Sequence, residues 1–136
     1  MDQQPLNLEQ HPIHLGTGAT AVAQPPFPRD AAAMQWYMDY SARHAADGTE
    51  GRLVSLFRFT EDWPGWEMHP AGDEVVVCIE GSMDLIQLID GEQRRTTLSP
   101  GLYAINPPGV WHTADIADGA TGLFITAGAG TEHRPR

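Results

Sequence analysis

From Gly51 to Ala127 turn signals interrupt the chain about every ten residues, and no other feature of the sequence constrains the fold as strongly. The signals are Trp63-Pro64-Gly65, Ala71-Gly72-Asp73, Asp90-Gly91, Pro100-Gly101, Pro107-Pro108-Gly109 and Asp118-Gly119, each with a known turn mechanism. Between them lie short apolar or alternating runs: Leu53–Phe59, Trp66–His69, Glu74–Ile79, Met83–Ile89, Thr96–Leu98, Leu102–Ile105, Val110–Ile116 and Leu123–Ala127. Parallel strands need long crossovers, and segments this short leave no room for them. The expectation is therefore all-β, an antiparallel sandwich or barrel over residues 51–130.

The first fifty residues follow a different pattern. Up to Arg29 there is neither helical nor strand periodicity, and Pro5, Pro12, Pro25, Pro26 and Pro28 remove backbone donors and disfavour helix before them. We expect an extended arm there. From Asp30 to about Ala46 helix formers take over, with Asp30 as a cap and Asp47-Gly48 as the stop. Met34, Tyr37, Met38, Ser41 and Ala45 fall on one face of that helix, and the aromatic stripe of Trp36, Tyr37 and Tyr40 is expected to pack against a sheet. Residues 1–50 thus read as arm and helix, and residues 131–136 as a C-terminal tail.

Composition removes several classes of function. The 136 residues make one core. Eight Arg and no Lys against 18 acidic residues leave a net charge of -10, a field that repels phosphate backbones and anionic lipid. We expect no nucleic-acid partner and no membrane partner, and the missing lysine excludes lysine-based covalent catalysis. The N-terminal stretch MDQQPLNLEQH lacks the charged and apolar regions of a secretory signal, so the expected location is cytoplasmic. Cys78, within the apolar run VVVCI, is expected to be buried as a small hydrophobe.

Six histidines can carry chemistry, but only His69 and His112 lie inside expected strands beside tight turns. His11, His14, His44 and His133 fall in the arm, at the helix end and in the tail, and read as solvated. Glu67 and His69 are two residues apart, so the pleat directs both to one face. The turn Pro70-Ala71-Gly72-Asp73 then reverses the chain, and Glu74 opens a strand that returns beside the one just left.

The run GWEMHPAGDEVVVCIEG, with His69, Glu74 and Gly81, and the run GLYAINPPGVWH, with Gly101, Pro107, Gly109 and His112, together resemble the two motifs of the cupin superfamily. The second motif matches up to a final Asn, whose place is taken by Ile116; in the first, Glu67 replaces the first His. The resemblance covers about Leu53 to Ala127 and implies a double-stranded β-helix, the jelly-roll barrel of that superfamily. Carried over by position, it implies that His69, Glu74 and His112 hold a divalent metal ion, Fe, Mn, Zn or Ni, with Glu67 in the remaining ligand position. Glu67 could equally turn outward or pair with Arg58 or Arg52.

Two neutral imidazoles and two carboxylates neutralise a divalent ion, which makes a weaker Lewis acid than three imidazoles and one carboxylate. Phe57, Phe59, Trp66, Met68, Tyr103 and Trp111 are candidates for an apolar wall suited to a small organic ligand, with Arg58 and Gln87 available to orient it. The resemblance also implies a homodimer. The expected function is a metal-dependent enzyme acting on a small organic molecule, by oxygenase, isomerase or lyase chemistry, with a non-catalytic metal or small-ligand binding module as the alternative.

Overall fold

In a computed structural model that describes residues 4–136, eleven strands form two antiparallel sheets. The strands are β1 (Ile13–Gly16), β2 (Thr20–Ala23), β3 (Arg52–Phe59), β4 (Gly65–Met68), β5 (Glu74–Gly81), β6 (Met83–Ile89), β7 (Glu92–Leu98), β8 (Tyr103–Asn106), β9 (His112–Asp115), β10 (Ala120–Thr126) and β11 (Glu132–Pro135). One sheet runs β2-β1-β3-β10-β5-β8 and the other β11-β4-β9-β6-β7. Between them lies a core of Val76, Cys78, Met83, Leu85, Leu98, Ala114, Ile116, Ala120 and Phe124, against which Phe57, Phe59 and Trp63 pack while remaining partly open.

Alternation explains which residues fill that core. In β5 the buried positions are Glu74, Val76 and Cys78, two apart, so one face of the strand carries both the apolar filling and an inward carboxylate. The strand ends at Gly81, whose φ of +76° and close approach to the Gly119 backbone leave no space for a Cβ. β7 begins at Glu92, ahead of the expected Thr96. Its first residues are exposed and polar and carry no apolar alternation; they are held in the sheet by a hairpin whose turn, Asp90-Gly91, has φ of +53° and +80°. Two positive φ values at the turn match the twist of the flanking strands.

Three expectations for the chain ends need correction. The N-terminal arm is not strandless: β1 and β2 form a hairpin, and β1 pairs with β3 with Ile13 opposite Val54. Pro12 and Pro25 flank this hairpin, so the prolines delimit the strands instead of preventing them. The C-terminal tail is likewise a strand, β11, paired along β4. Its sequence Glu-His-Arg-Pro has no apolar residue to bury, and it is an edge strand exposed throughout. His14, read as solvated, is only 2% exposed.

The helix forms where expected, and of its two stripes the aromatic one turns inward, at Trp36 and Tyr40. It spans Ala33–Arg43 (α1) and runs into a 3-10 turn over Ala45–Glu50. Asp30 acts before the helix, its Oδ1 accepting from the Ala32 amide at 2.9 Å. Trp36 is the buried residue, whereas Met34, Tyr37 and Met38 are 66%, 39% and 59% exposed. The helix is rotated because the largest ring takes the inward position: Trp36 stacks on Tyr40 at 5.7 Å, meets Phe27 edge-to-face at 4.9 Å, and donates its indole N–H to the Pro25 carbonyl at 3.2 Å. Among the described residues no helix is long and apolar enough to cross a membrane.

The rotation has a measurable consequence. Trp36→Ala should cost about 3–5 kcal/mol of folding stability in urea titrations, while Met38→Ala should stay within about 0.5 kcal/mol. A helix turned with the Met34 and Met38 face inward requires the opposite order.

Candidate metal centre

Four side chains from three strands and one turn meet inside the barrel. Glu67, near the end of β4, lies opposite His112, the first residue of β9. His69 follows β4 directly, and Glu74 is the first residue of β5. The tight return between them brings the His69 Nε2 to 3.1 Å from Glu74 Oε2, and His112 Nε2 stands 3.2 Å from Glu74 Oε1. Glu67 Oε2 is nearly equidistant from the two imidazoles, at 3.8 Å from His69 Nε2 and 3.9 Å from His112 Nε2. Glu67, His69 and His112 thus offer donor atoms all within 4.8 Å of one another. His69, Glu74 and His112 are 5%, 3% and 0% exposed.

The hydrogen bonds behind these groups decide what they present. Thr131 Oγ1 donates to the Gly128 carbonyl at 2.9 Å, so it must accept from His69 Nδ1, 2.7 Å away. His112 Nδ1 lies 3.3 Å from the Val110 carbonyl, which can only accept. Both imidazoles are therefore anchored through an Nδ1–H and turn an Nε2 lone pair inward. Both Nε2 atoms are buried and lack a hydrogen-bond partner, since the Glu74 oxygens are near but poorly aligned. Glu74 is fixed in turn: Asn106 Nδ2 donates to Oε1 at 3.0 Å and Thr126 Oγ1 to Oε2 at 2.6 Å. Asn106 faces Glu74 across the β5–β8 ladder.

Lone pairs facing carboxylate oxygens at this range call for a positive charge between them. The same tension appears in the ionisation of the groups. Burial opposes the charge on Glu74, but the flanking imidazoles of His112 and His69 outweigh it and hold the carboxyl below the usual carboxylate range. Burial likewise opposes a proton on His112, and Glu74, Glu67 and the Val110 carbonyl outweigh that, raising its pKa.

The remaining expected residues divide between inside and outside. Phe57, Phe59 and Trp63 line the interior, with the Trp63 ring 6.2 Å from that of His112. Gln87 points inward and donates to Asn106 Oδ1 at 2.7 Å. Tyr103 is 65% exposed and faces away, Trp111 lies under the Arg134 guanidinium at 4.3 Å, and Arg58 pairs with Glu9 at 2.9 Å. Cys78 is fully buried, as expected, and burial pushes its thiol pKa up. Glu67 pairs with neither Arg58 nor Arg52 but with His133, whose Nε2 donates to Oε1 at 3.2 Å and whose pKa Glu67 raises. Asn106, Thr126, Thr131 and His133 were not singled out from the sequence. Only Asn106 and Thr126 sit where alternation along neighbouring strands could have pointed to them.

A second group of ligating side chains behaves differently. His14 Nε2 donates to Asp47 at 2.7 Å and its Nδ1 accepts from the Tyr40 hydroxyl at 2.6 Å, while His44 Nε2 accepts from Gln24 at 2.9 Å. The two imidazoles stack with centroids 3.8 Å apart and planes at 17°, so their lone pairs run side by side instead of converging. The Thr17 hydroxyl, then His14, holds the Asp47 carboxyl down at about 2. This group ties the arm to the helix.

No protein-family profile matches the chain, and no curated protein does. Solved structures match in fold. An oxalate oxidase in complex with glycolate aligns with a TM-score of 0.55 at 16% identity, over 68% of this chain and 50% of its own. A hydroquinone 1,2-dioxygenase in complex with Cd2+ and 4-hydroxybenzonitrile aligns at 0.50 and 16% identity, over 55% and 56%. A cupin-2 domain protein of Shewanella frigidimarina aligns at 0.47 and 22% identity, over 62% and 71%. The barrel is a cupin fold. The alignments span about half the length of the two enzymes, and at these identities the cupin likeness carries the fold alone.

The cupin barrel's interior ionisation gives a pH signature in chelator-treated protein. Glu74, with its pKa lowered from an ordinary 4.5, contributes stability that is full above that value and is lost as pH falls. His112, raised from 6.5, contributes stability that is full below that value and is lost as pH rises through the raised pKa. Thermal melts in chelator should therefore peak between pH 4.5 and 6.5, the ordinary values of the two groups, and His112→Gln should flatten the alkaline side. A metal-free melting temperature that climbs from pH 6.5 to 8.5 would contradict this ionisation scheme.

Proposed function

We propose that the barrel holds a divalent cation between Glu67, His69, Glu74 and His112 and uses it to act on a small organic molecule admitted beside Phe57, Phe59 and Trp63. The supporting observation is the pair of orphaned, inward Nε2 lone pairs facing the two Glu74 oxygens at 3.1 and 3.2 Å. Thr131 and the Val110 carbonyl orient the imidazoles, and Asn106 and Thr126 orient Glu74, so the donors are set before a cation arrives. Two imidazole nitrogens and two carboxylates suit Fe(II), Mn(II), Zn(II) or Ni(II). When bound, such an ion supplies a Lewis-acid or redox centre with coordination positions left for a ligand. Phe57, Phe59 and Trp63 would offer flat apolar surface to an organic ring or chain.

A non-catalytic metal or small-ligand module is the second reading, and one observation favours it. Cys78 is sealed in the core, Glu80 and Tyr103 face outward, and among the described residues no general base other than the proposed ligands is directed at the centre.

Elemental analysis of protein purified without chelator should find about one divalent ion per chain in an ordered site. His112→Ala should lose most of it and Glu67→Ala less, because His112 is fully buried while Glu67 is 34% exposed on the rim. Equal metal retention by the two variants removes the proposed site. Dioxygen uptake or turnover in a metabolite screen by the metal-loaded protein separates the enzyme from the module.

A further inference from the structure

We propose that His133, on the last strand, is the positioning residue that makes Glu67 a ligand, holding its Oε1 so that Oε2 alone is presented to the metal. The inference rests on the metal reading above and concerns a residue far along the chain from both motifs. Replacing an imidazole by a carboxylate at position 67 creates a problem that the imidazole does not have. A glutamate has a longer, freer side chain and two equivalent oxygens, and here it sits on a strand near the sheet edge, 34% exposed to water. Left alone it gains more from solvation outside than from facing a second carboxylate inside.

The fold supplies the restraint through β11. That strand pairs with β4 so that His133 lies directly opposite Glu67, and the His133 Nε2–H donates to Oε1 at 3.2 Å. With Oε1 engaged, Oε2 stands 3.8 and 3.9 Å from the two inward nitrogens. Neighbouring donors on one ion at bond lengths near 2.1 Å are about 3 Å apart, so a shift of under about 1 Å brings Oε2 into coordination without releasing Oε1. The same segment fixes His69 through Thr131. It is held at its far end by the Arg136–Asp115 pair at 2.7 Å and by Arg134 over Trp111 at 4.3 Å. The C-terminal segment, Thr131 and the strand that follows it, therefore carries partners for two of the four proposed ligands.

Cobalt(II) titration tests this, because the intensity and position of its visible bands report coordination number, and competition with a chromophoric chelator gives its affinity. His133→Ala should bind cobalt(II) about 10–100-fold more weakly, with a changed visible spectrum, and His133→Gln, which keeps an N–H donor, should recover most of both. In a Glu67→Ala background the further change His133→Ala should alter neither quantity. Since the His133 side chain is 62% exposed, these variants keep the core intact. An unchanged affinity and spectrum in His133→Ala overturns the proposal and leaves the metal reading standing. So does an equal loss in the Glu67→Ala background, which would show that His133 acts through the strand and not through Glu67. Failure of the unmodified protein to bind cobalt(II) at all overturns both.

Discussion

The interior is organised around one close approach: two inward imidazole nitrogens and a carboxylate face one another at hydrogen-bond range. A barrel filled only by Val76, Leu85 and Phe124 would have no need of the polar residues that surround this point. Asn106, Thr126, Thr131 and the Val110 carbonyl each occupy the outer side of one group, and each removes a way for that group to satisfy itself by turning. Buried polar groups cost most when half satisfied. Every outer hydrogen bond is made and the inner nitrogens have none, which is the arrangement the proposed cation requires.

The topology explains how so few residues build it. A sheet return at Pro70–Asp73 places His69 and Glu74 side by side, and the β4–β9 ladder places Glu67 opposite His112. Two local geometries, a turn and a register, thus substitute for long-range search among side chains. The chain ends then widen both sheets, β1 and β2 beyond β3 and β11 beyond β4. The first addition is locked by the stacked His14–His44 pair and Asp47; the second reaches the centre's outer shell.

What was legible in the sequence is what depends on period and punctuation. The eight expected runs correspond to β3 through β10, and His69, Glu74 and His112 converge, because inward alternation and tight turns are local properties. The ends were illegible for a physical reason. β2 and β11 are exposed edge strands stabilised by backbone pairing, so their side chains carry no burial pattern, and His133 looks like any solvated histidine until its register with Glu67 is known. The inward face of α1 stayed open in the sequence because a face counted from Met34 and Met38 competes with one counted from Trp36 and Tyr40, about 160° away round the helix. Periodicity cannot choose between two apolar stripes; the partner surface of Phe27 and Pro25 does.

The carboxylate at position 67 changes more than one donor atom. With two imidazoles and two carboxylates the proposed ion is fully neutralised, and its pull on any further ligand weakens accordingly. A neutral centre attracts an anionic ligand less through net charge, so selection must come from shape and from apolar contact, which the wall of Phe57, Phe59 and Trp63 provides. The chain's net charge of -10 points the same way, since it disfavours strongly anionic molecules at long range. The contact of Glu67 with the exposed His133 of the terminal strand also couples this centre to the outer surface. Charge balance in the proposed centre and support from the terminal strand therefore meet at one residue, Glu67.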